Sequence, residues 1–250
     1  MKTDYLYGIN PVREGLSGEH RQPLELFVEE KASGKRIDEI LTLARDRGVP
    51  VRRRRRQDLD RLAGLPHHQG VVLGMEPFPF VEFEDLLTRW QTSGHPGLFL
   101  LLDGITDPHN FGAILRNADA ACCQGVILAR DRSCPVTNVV VKASAGAVEH
   151  LSLCQVTNLA RTIEQLKAAG VWVFGLASAT ASQSLYATDL RGHVALVIGS
   201  EGEGLRQRTR ELCDLLVEIP MLGGVASLNA ASASAVALFE TVRQRMIGPA

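Results

Sequence analysis

From Leu98 onward the sequence repeats one pattern, in which an uninterrupted apolar run leads into a loop or a helical segment. The apolar runs occupy residues 98–102, 125–129, 151–156, 171–177, 194–198 and 215–220. Helical patterns lie at residues 113–121, 139–151, 157–170, 205–213 and 231–246. Strands buried on both faces give continuous apolar runs, whereas half-exposed strands alternate apolar and polar residues. Residues 98–250 are therefore predicted to form an α/β domain with a mostly parallel sheet covered on both faces by helices.

The first 75 residues carry a smaller α/β pattern. Strand-like runs lie at 24–30, 49–54 and 69–75, and a helical pattern lies at 36–48. The next segment contains three prolines and scattered acidic residues without a strand pattern, which is typical of a connection. We therefore expect an α/β domain at 1–76, a linker at 77–97 with a short helix near 83–90, and the larger domain at 98–250.

Composition and the chain start bear on the class of protein. A hydrophobic content of 45% is enough to form a buried core, which argues against a disordered chain. The longest aliphatic runs are about five residues, far below the roughly 20 that cross a bilayer. The first ten residues contain an acidic side chain and several polar ones, whereas a signal peptide needs an apolar core there. We expect a cytoplasmic protein with no membrane partner.

Several common motifs are missing from the sequence. No G-x-G-x-x-G follows the first strand of either half, and there is no P-loop, no H-E-x-x-H and no G-x-S-x-G. Dinucleotide dehydrogenases, P-loop NTPases, zincins and α/β-hydrolases therefore lose their main support. The five cysteines form no C-x-x-C pair, so free thiols and no metal site are expected.

The first segment with candidate chemistry follows the strand that ends at Asp103. A polar loop leads into a helix predicted to begin near Ala113, and ligands of parallel sheets bind at such strand ends. Asn110 is suited to a directed hydrogen bond, and Arg116 presents a fork of donors to a phosphate or carboxylate. The alternative is that Asn110 caps the helix and Arg116 is a solvated charge.

The second segment is a glycine-rich turn after the strand at 194–198. Gly199, Gly202 and Gly204 permit close approach of a ligand to the backbone. Glu201 and Glu203 lie in the same turn and would repel a phosphate. The turn therefore favours a ligand that is neutral or cationic where it contacts the loop.

The third segment precedes the last helix. Ser227 and Asn229 stand just before a run of Ala and Ser that extends through Ala237. Ser227 is either a functional side chain or the N-cap of that helix. The small residues allow very close backbone packing, so we expect a crowded contact on this helix.

Together these segments resemble the three motifs of the SpoU branch of the SPOUT RNA ribose methyltransferases. The matching stretches are DPHNFGAILR (107–116), GSEGEG (199–204) and IPMLGGVASLNAASA (219–233). The similarity extends to YGINPVREGL at the start, HQGVV at 68–72, residues 131–151 and TNLARTI at 157–163. Asn117 stands where many relatives carry Thr or Ser, and Ala230 and Ala231 replace the commoner Val-Ser.

The resemblance implies a fold, a reaction and an assembly. The fold is an RNA-binding domain like ribosomal protein L30e, joined to a catalytic α/β domain with a deep trefoil knot, which general topology rules would not suggest. The reaction is S-adenosylmethionine-dependent 2'-O-methylation of a guanosine ribose in 23S ribosomal RNA. The family also implies a homodimer formed through the knotted region. Methylation of a tRNA ribose and a non-catalytic RNA-binding protein stay as alternatives.

The resemblance also carries site residues onto this sequence. The catalytic set that it implies is Asn110, Arg116, Glu201, Ser227 and Asn229. The cofactor-binding set is Leu176, Ala177, Gly199, Ile219 and Leu228. Arg116 is expected to clamp a phosphate and stabilise the developing alkoxide, with Asn110 holding Arg116 or the substrate. Glu201 is expected to fix its loop by accepting backbone N–H groups, while Ser227 and Asn229 position the RNA.

RNA contact is expected mainly in the N-terminal part. Residues 1–75 hold 14 Lys and Arg against 11 Asp and Glu, whereas the remainder holds 13 against 17. Five consecutive arginines at 52–56 can supply phosphate contacts, although a solvated charge run is the usual alternative. Strand alternation sends about half of them to one face. The candidate RNA-binding residues are Asn10, Arg13, Arg52, Arg54 and Arg56.

Overall fold

A computed structural model describes residues 3–18, 21–64, 66–76, 78–178 and 182–247. The chain forms two compact units. Unit 1 combines Met1–Pro79 with Val136–His150, and unit 2 combines Phe80–Pro135 with Leu151–Ala250. A segment from the middle of the sequence therefore belongs with the N-terminal residues, which a division at a single linker did not anticipate.

Unit 1 is built around a four-stranded sheet with the strand order β1-β4-β2-β3. The elements before residue 80 are β1 (Asp4–Tyr7), α1 (Ile9–Ser17), β2 (Pro23–Glu29), α2 (Lys35–Asp46), β3 (Val51–Arg54), α3 (Arg56–Ala63) and β4 (Val71–Met75). β4 runs antiparallel to β1 and β2, while β3 is parallel to β2. The predicted α2, β2, β3 and β4 are confirmed. β1 and α1 were not predicted, because a four-residue strand and a nine-residue helix give little periodicity.

A buried ion pair joins the N-terminal residues of unit 1 to its inserted segment. The side chains of Arg21 and Glu149 are each 1% exposed, and Arg21 Nη1 lies 3.1 Å from Glu149 Oε1. Arg21 Nη2 pairs with Asp4 Oδ2 at 2.9 Å and donates to the carbonyl of Glu76 at 2.7 Å. A buried guanidinium requires such partners to replace water, so these contacts fix the inserted segment within unit 1.

Unit 2 contains a seven-stranded sheet in the order β7-β6-β5-β10-β8-β11-β9, and every paired strand in it is parallel. The predicted mostly parallel sheet is confirmed. The later elements of the chain are α4 (Phe83–Ser93), β5 (Leu98–Asp103), α5 (Pro108–Ala120), β6 (Gly125–Ala129), α6 (Asn138–Ala143), β7 (Leu153–Val156), α7 (Leu159–Ala168), β8 (Trp172–Leu176), β9 (Gln183–Ser184), β10 (Val194–Gly199), α8 (Gln207–Leu212), β11 (Leu215–Glu218) and α9 (Ala230–Ile247). Of these, α6 alone belongs to unit 1.

The helix expected near 83–90 is present as α4 and is part of a core. Phe83, Leu86 and Trp90 are buried, and they pack with Phe99 and Leu101 of β5 in an apolar cluster of unit 2. Residues 77–97 therefore include a helix packed into unit 2 as well as connecting chain. Within the described ranges, no helix has the length and apolarity needed to span a membrane.

Two helices differ from the prediction. α5 begins at Pro108, earlier than the expected Ala113, because Asp107 Oδ1 accepts the backbone N–H of Asn110 at 2.8 Å and caps the helix. The helix predicted at 139–151 stops after Ala143. Ala145 and Gly146 have φ angles of 54° and 91°, which no α-helix accommodates, and a short 3₁₀ turn follows.

Candidate active site

The carboxyl ends of three neighbouring strands of unit 2 open onto a cavity of about 660 Å³. The walls come from the ends of β8, β10 and β11 and from the loops that follow them, together with the start of α9. Ligands of parallel α/β sheets bind at this edge, and small-molecule sites span roughly 300–1,000 Å³. The location and size suit a ligand about as large as a nucleoside.

Most of the predicted site residues surround this one cavity. All five residues predicted to bind a cofactor line it, namely Leu176, Ala177, Gly199, Ile219 and Leu228. Glu201, Ser227 and Asn229 from the predicted catalytic set line it as well. Asn110 and Arg116 are not among its lining residues. The structure thus brings three separate sequence segments together, while the role of each residue remains a prediction.

The glycine-rich turn after β10 folds back on itself. Ser200 and Gly204 exchange backbone hydrogen bonds of 3.0 and 3.1 Å. A Cβ atom added at Gly199 would lie 2.2 Å from the carbonyl carbon of Gly204, far inside van der Waals contact. The sequence places glycine at 199 because the returning chain occupies the space of a side chain.

Substituting Gly199 therefore tests the cavity wall. Gly199→Ala is expected to displace the turn and weaken ligand binding at this cavity by at least about tenfold, about 1.4 kcal/mol. Gly192→Ala is the matched control, because a Cβ there meets nothing within 4 Å. Isothermal titration with S-adenosylmethionine measures both. Wild-type affinity in Gly199→Ala would contradict the assignment of this wall to ligand binding.

Glu201 connects all three motif segments. Its Oε1 accepts a hydrogen bond from Asn110 Nδ2 at 2.9 Å and another from the backbone N–H of Ala230 at 3.4 Å. The expected acceptance of a backbone N–H is thus found, and the donor is the first residue of α9. One carboxylate oxygen therefore ties the turn after β10 to the starts of α5 and α9.

Of the two partners expected for Asn110, namely Arg116 or the substrate, Arg116 is not in contact with it. Six residues along an α-helix turn through about 600°, which leaves the two side chains about 120° apart around α5. Asn110 donates to Glu201 instead. The alternative that Asn110 caps the helix is wrong, because Asp107 is the cap.

Arg116 is exposed on α5. The described part of the chain gives its guanidinium no hydrogen-bond or ion-pair partner. Its five N–H donors are therefore available to an anionic group that reaches the site from outside.

Asn229 caps α9. Its Oδ1 accepts the backbone N–H of Ser232 at 2.8 Å, which leaves the amide Nδ2 of the side chain for another acceptor. The alternative that Ser227 is the N-cap is therefore wrong. Ser227 is exposed, and its loop lines the cavity.

The crowded contact expected on the last helix is the packing of α9 against α5. Asn117 Nδ2 donates to the carbonyl of Ala231 at 3.0 Å and to Ser234 Oγ at 3.3 Å. Asn117 and Ala231 are two of the positions where the sequence departs from the motif pattern. These two residues are therefore in contact with each other, and the Asn117 amide donates to the backbone of α9.

Two acidic residues at the carboxyl ends of strands were not predicted, and one of them, Glu218, lines the cavity. Asp103 is 1% exposed at the end of β5, where Oδ2 accepts the backbone N–H of Arg206 at 3.0 Å and Oδ1 lies 3.3 Å from Arg206 Nε. Glu218 ends β11 and lines the cavity, and its Oε2 accepts from Ser178 Oγ at 3.1 Å. Each is an acidic residue that comes directly after an apolar run, at the last position of its strand. This pattern is visible in the sequence.

The electrostatics of the cavity favour a positively charged ligand. Its charged lining residues are Glu201 and Glu218, both carboxylates. Two thiols of unit 2 suit no nucleophilic role, since burial raises the pKa of Cys154 and of Cys213 to about 12. Among the described residues, no group of three or more His, Cys, Asp or Glu side chains is arranged to hold a metal ion.

The candidate RNA-binding residues of unit 1 differ in whether their side chains already have partners within the protein. Arg52 pairs with Glu25, and Arg56 lies 3.5 Å from Glu29 and donates to the carbonyl of Pro66. Arg13 lies 3.1 Å from Glu14. Asn10 and Arg54 are exposed, and the guanidinium of Arg54 has no hydrogen-bond or ion-pair partner among the described residues. The arginine run is therefore partly neutralised by the protein itself.

Comparison with known families decides the class of this chain. The sequence profile of the SpoU rRNA Methylase family matches residues 97–239, more than half of the chain. The chain belongs to the SpoU rRNA methylase family. A second profile, RNA 2'-O ribose methyltransferase substrate binding, matches residues 5–81. The SpoU profile includes all three motif segments.

Individual SpoU relatives cover most of the chain. A 23S rRNA (guanosine-2'-O-)-methyltransferase RlmB from Photobacterium profundum is 42% identical over 99% of this chain and 100% of its own length. The crystal structure of the SpoU methyltransferase AviRb from Streptomyces viridochromogenes with the cofactor AdoMet is 28% identical. It covers 98% of this chain and 91% of that chain, with a TM-score of 0.79. Another solved structure, whose description refers to the 2-OH methylation of C/U34 on tRNA, is 31% identical to this chain. It covers 62% of this chain and 99% of that chain, with a TM-score of 0.54.

Proposed function

We propose that this SpoU family member methylates the 2'-hydroxyl of a guanosine ribose in 23S ribosomal RNA, with S-adenosylmethionine as the methyl donor. The observation that carries the proposal is the 42% identity to a 23S rRNA guanosine-2'-O-methyltransferase over essentially the whole of both chains. The match includes both the catalytic segments and the part that resembles a substrate-binding domain.

The cavity fits the proposed cofactor by size and charge. S-adenosylmethionine, when bound, supplies an electrophilic methyl group on a positively charged sulfonium. Glu201 and Glu218 place two carboxylates around the cavity, and the turn at 199–204 offers backbone groups at close range. Leu176, Ile219 and Leu228 supply apolar surface for a base. The AdoMet complex of AviRb, a SpoU methyltransferase with a TM-score of 0.79, supports this assignment.

Arg116 is the residue that we assign to the reacting hydroxyl. A ribose hydroxyl is a weak nucleophile until its proton is removed or its oxygen is placed near positive charge. A guanidinium stays protonated at neutral pH, so Arg116 cannot be the base. Its free donors instead clamp the adjacent phosphate and stabilise the developing alkoxide. The proton leaves through that phosphate or through water.

The remaining motif residues position the substrate and the loops. Glu201 holds Asn110 and the start of α9 in place through the hydrogen bonds of 2.9 and 3.4 Å. Asn229 keeps its Nδ2 available while its Oδ1 caps α9. Ser227, exposed beside it, offers a hydroxyl to the ribose or the RNA backbone.

We also propose a domain organisation, an assembly and a location. Residues 1–76 act as the RNA-binding domain and 98–250 as the catalytic domain, joined at 77–97, with the C-terminal part trefoil-knotted. Exposed apolar residues on and before α9 support a homodimer through this region, namely Leu222, Val225, Phe239, Met246 and Ile247. Light scattering on the purified chain measures that assembly. An rRNA substrate supports action in the cytoplasm.

Radiolabelled methyl transfer tests the proposed reaction. Incubation with labelled S-adenosylmethionine and 23S rRNA is expected to give 2'-O-methylguanosine after nuclease digestion, and bulk tRNA is expected to stay unlabelled. Label in tRNA alone would replace rRNA by the tRNA alternative, which the 31% identical structure described by tRNA methylation keeps open. Cofactor binding without transfer to either RNA, or no binding at all, would contradict the proposal.

A further inference from the structure

Unit 1 carries a groove that the motif residues do not explain. It has a volume of about 460 Å³ and is lined by Phe27, Arg54, Asp58, Arg61 and Leu62. These residues come from β2, β3 and α3. The groove combines an aromatic ring and a leucine with two arginines.

The register of the sheet explains why these residues meet. Phe27 pairs with Arg52, and Glu29 pairs with Arg54, so Arg52 and Arg54 point to the same face as Phe27. α3 covers this face, where Leu59 forms a core cluster with Tyr7 and Val72. Phe27 and Leu62 pack against that cluster but are only partly buried. Part of the Phe27 side chain is therefore left to border the groove.

Three of the five arginines at 52–56 already contact other groups of the protein. Arg52 and Arg56 face glutamates, and Arg53 donates to the backbone carbonyls of Glu29, Glu30 and Ala32. The guanidinium of Arg54 has no hydrogen-bond or ion-pair partner in the described part of the chain. Arg61 is 79% exposed and lies 3.9 Å from Asp58, a weak surface contact. The two guanidiniums beside Phe27 are thus largely free to bind an external anion.

We propose that this groove binds one unpaired nucleotide of the substrate RNA, with its base against Phe27 and Leu62 and its flanking phosphates on Arg54 and Arg61. Proteins bind single-stranded RNA by stacking splayed bases on aromatic rings and contacting phosphates with arginine. A paired base is already stacked inside its helix and offers no free face. The inference rests on the proposed function for RNA as the ligand and adds a site, since Phe27, Arg61 and Leu62 are outside the motifs.

Equilibrium binding of the full chain to single-stranded RNA tests the groove. The probes are fluorescent oligouridine and the same oligomer with abasic positions, each titrated at several salt concentrations. Phe27→Leu keeps an apolar side chain but removes the aromatic face, and it is expected to weaken oligouridine binding by about fivefold or more. It is expected to leave abasic RNA binding and the salt dependence unchanged.

Arg54→Gln tests the phosphate contact on an exposed position. It is expected to weaken both probes and to reduce the slope of log affinity against log salt by about 0.7 to 1. Arg45→Gln is the matched control, because it removes the same charge at an exposed position of α2, and Arg45 does not line the groove. It is expected to change neither quantity beyond twofold in affinity.

The outcomes separate this inference from the proposed function. Wild-type binding by both Phe27→Leu and Arg54→Gln would overturn the groove, as would equal losses in Arg45→Gln and Arg54→Gln. Equal losses of oligouridine and abasic RNA in Phe27→Leu would overturn the stacked base. Methyl transfer to 23S rRNA by the wild-type chain, measured in parallel, shows whether the proposed function stands when the groove fails. Thermal melting of each variant identifies any loss of RNA binding that is due to unfolding. Because Arg54 is exposed, Arg54→Gln is expected to fold like the wild type, so it tests the groove even if Phe27→Leu is unstable.

Discussion

Arg116→Ala is expected to reduce methyl transfer to 23S rRNA by at least about 100-fold, the loss typical of removing one donor that stabilises a developing oxyanion. The affinity for S-adenosylmethionine is expected to stay within about twofold of the wild type, because Arg116 is not among the residues that line the cavity. Single-turnover transfer with saturating RNA measures the first quantity, and isothermal titration measures the second.

Two further variants sharpen this prediction. Arg116→Lys keeps a positive charge without the planar fork and is expected to recover part of the transfer rate. Arg89→Ala removes another exposed arginine of unit 2, on α4, and is expected to match the wild type. Wild-type turnover in Arg116→Ala would remove Arg116 from the mechanism. A large loss of cofactor affinity would instead assign it to the cofactor.

Arg21→Met is expected to lower the free energy of unfolding of unit 1 by about 3–5 kcal/mol, because it leaves a carboxylate buried without its cation. Glu149 is 1% exposed and lies 3.1 Å from Arg21, while Asp4 loses a contact of 2.9 Å. Urea unfolding followed by circular dichroism measures the change.

The double variant Arg21→Met with Glu149→Gln is the informative control. Removing both charges is expected to restore part of the lost stability, since a neutral amide costs less to bury than a carboxylate that has lost Arg21. Arg45→Met, an exposed change on α2, is expected to stay within about 0.5 kcal/mol of the wild type. A wild-type unfolding curve for Arg21→Met would show that the ion pair contributes no net stability.

The larger sheet was predictable because its strands are buried on both faces. Runs such as β5, with all six residues buried, leave little ambiguity in the sequence. The break after Ala143 was not predictable, because Ala145 adopts a φ of 54° that its residue type does not favour. Nor could periodicity place residues 136–150 in unit 1. That placement depends on Arg21 and Glu149, which are 128 positions apart in the sequence.

The candidate site shows the same division. The three motif segments were found from residue types at strand ends, and the structure gathers Glu201, Ser227 and Asn229 around one cavity. The partner of Asn110 was missed, because helix geometry separates it from Arg116 and a loop 91 residues away supplies the acceptor. Glu218 was missed because one acid at the end of a strand is an ordinary feature until the cavity beside it is known.

The two-part composition of unit 1 has a consequence for biosynthesis. A ribosome synthesises the chain from its N-terminus, and domains generally begin to fold as they emerge. Here β1 to β4 emerge long before Glu149, so Arg21 waits for its buried partner while more than half of the chain is made. The buried ion pair of unit 1 therefore cannot form until residues 136–150 have been made, and these follow the first strands of unit 2 in the chain.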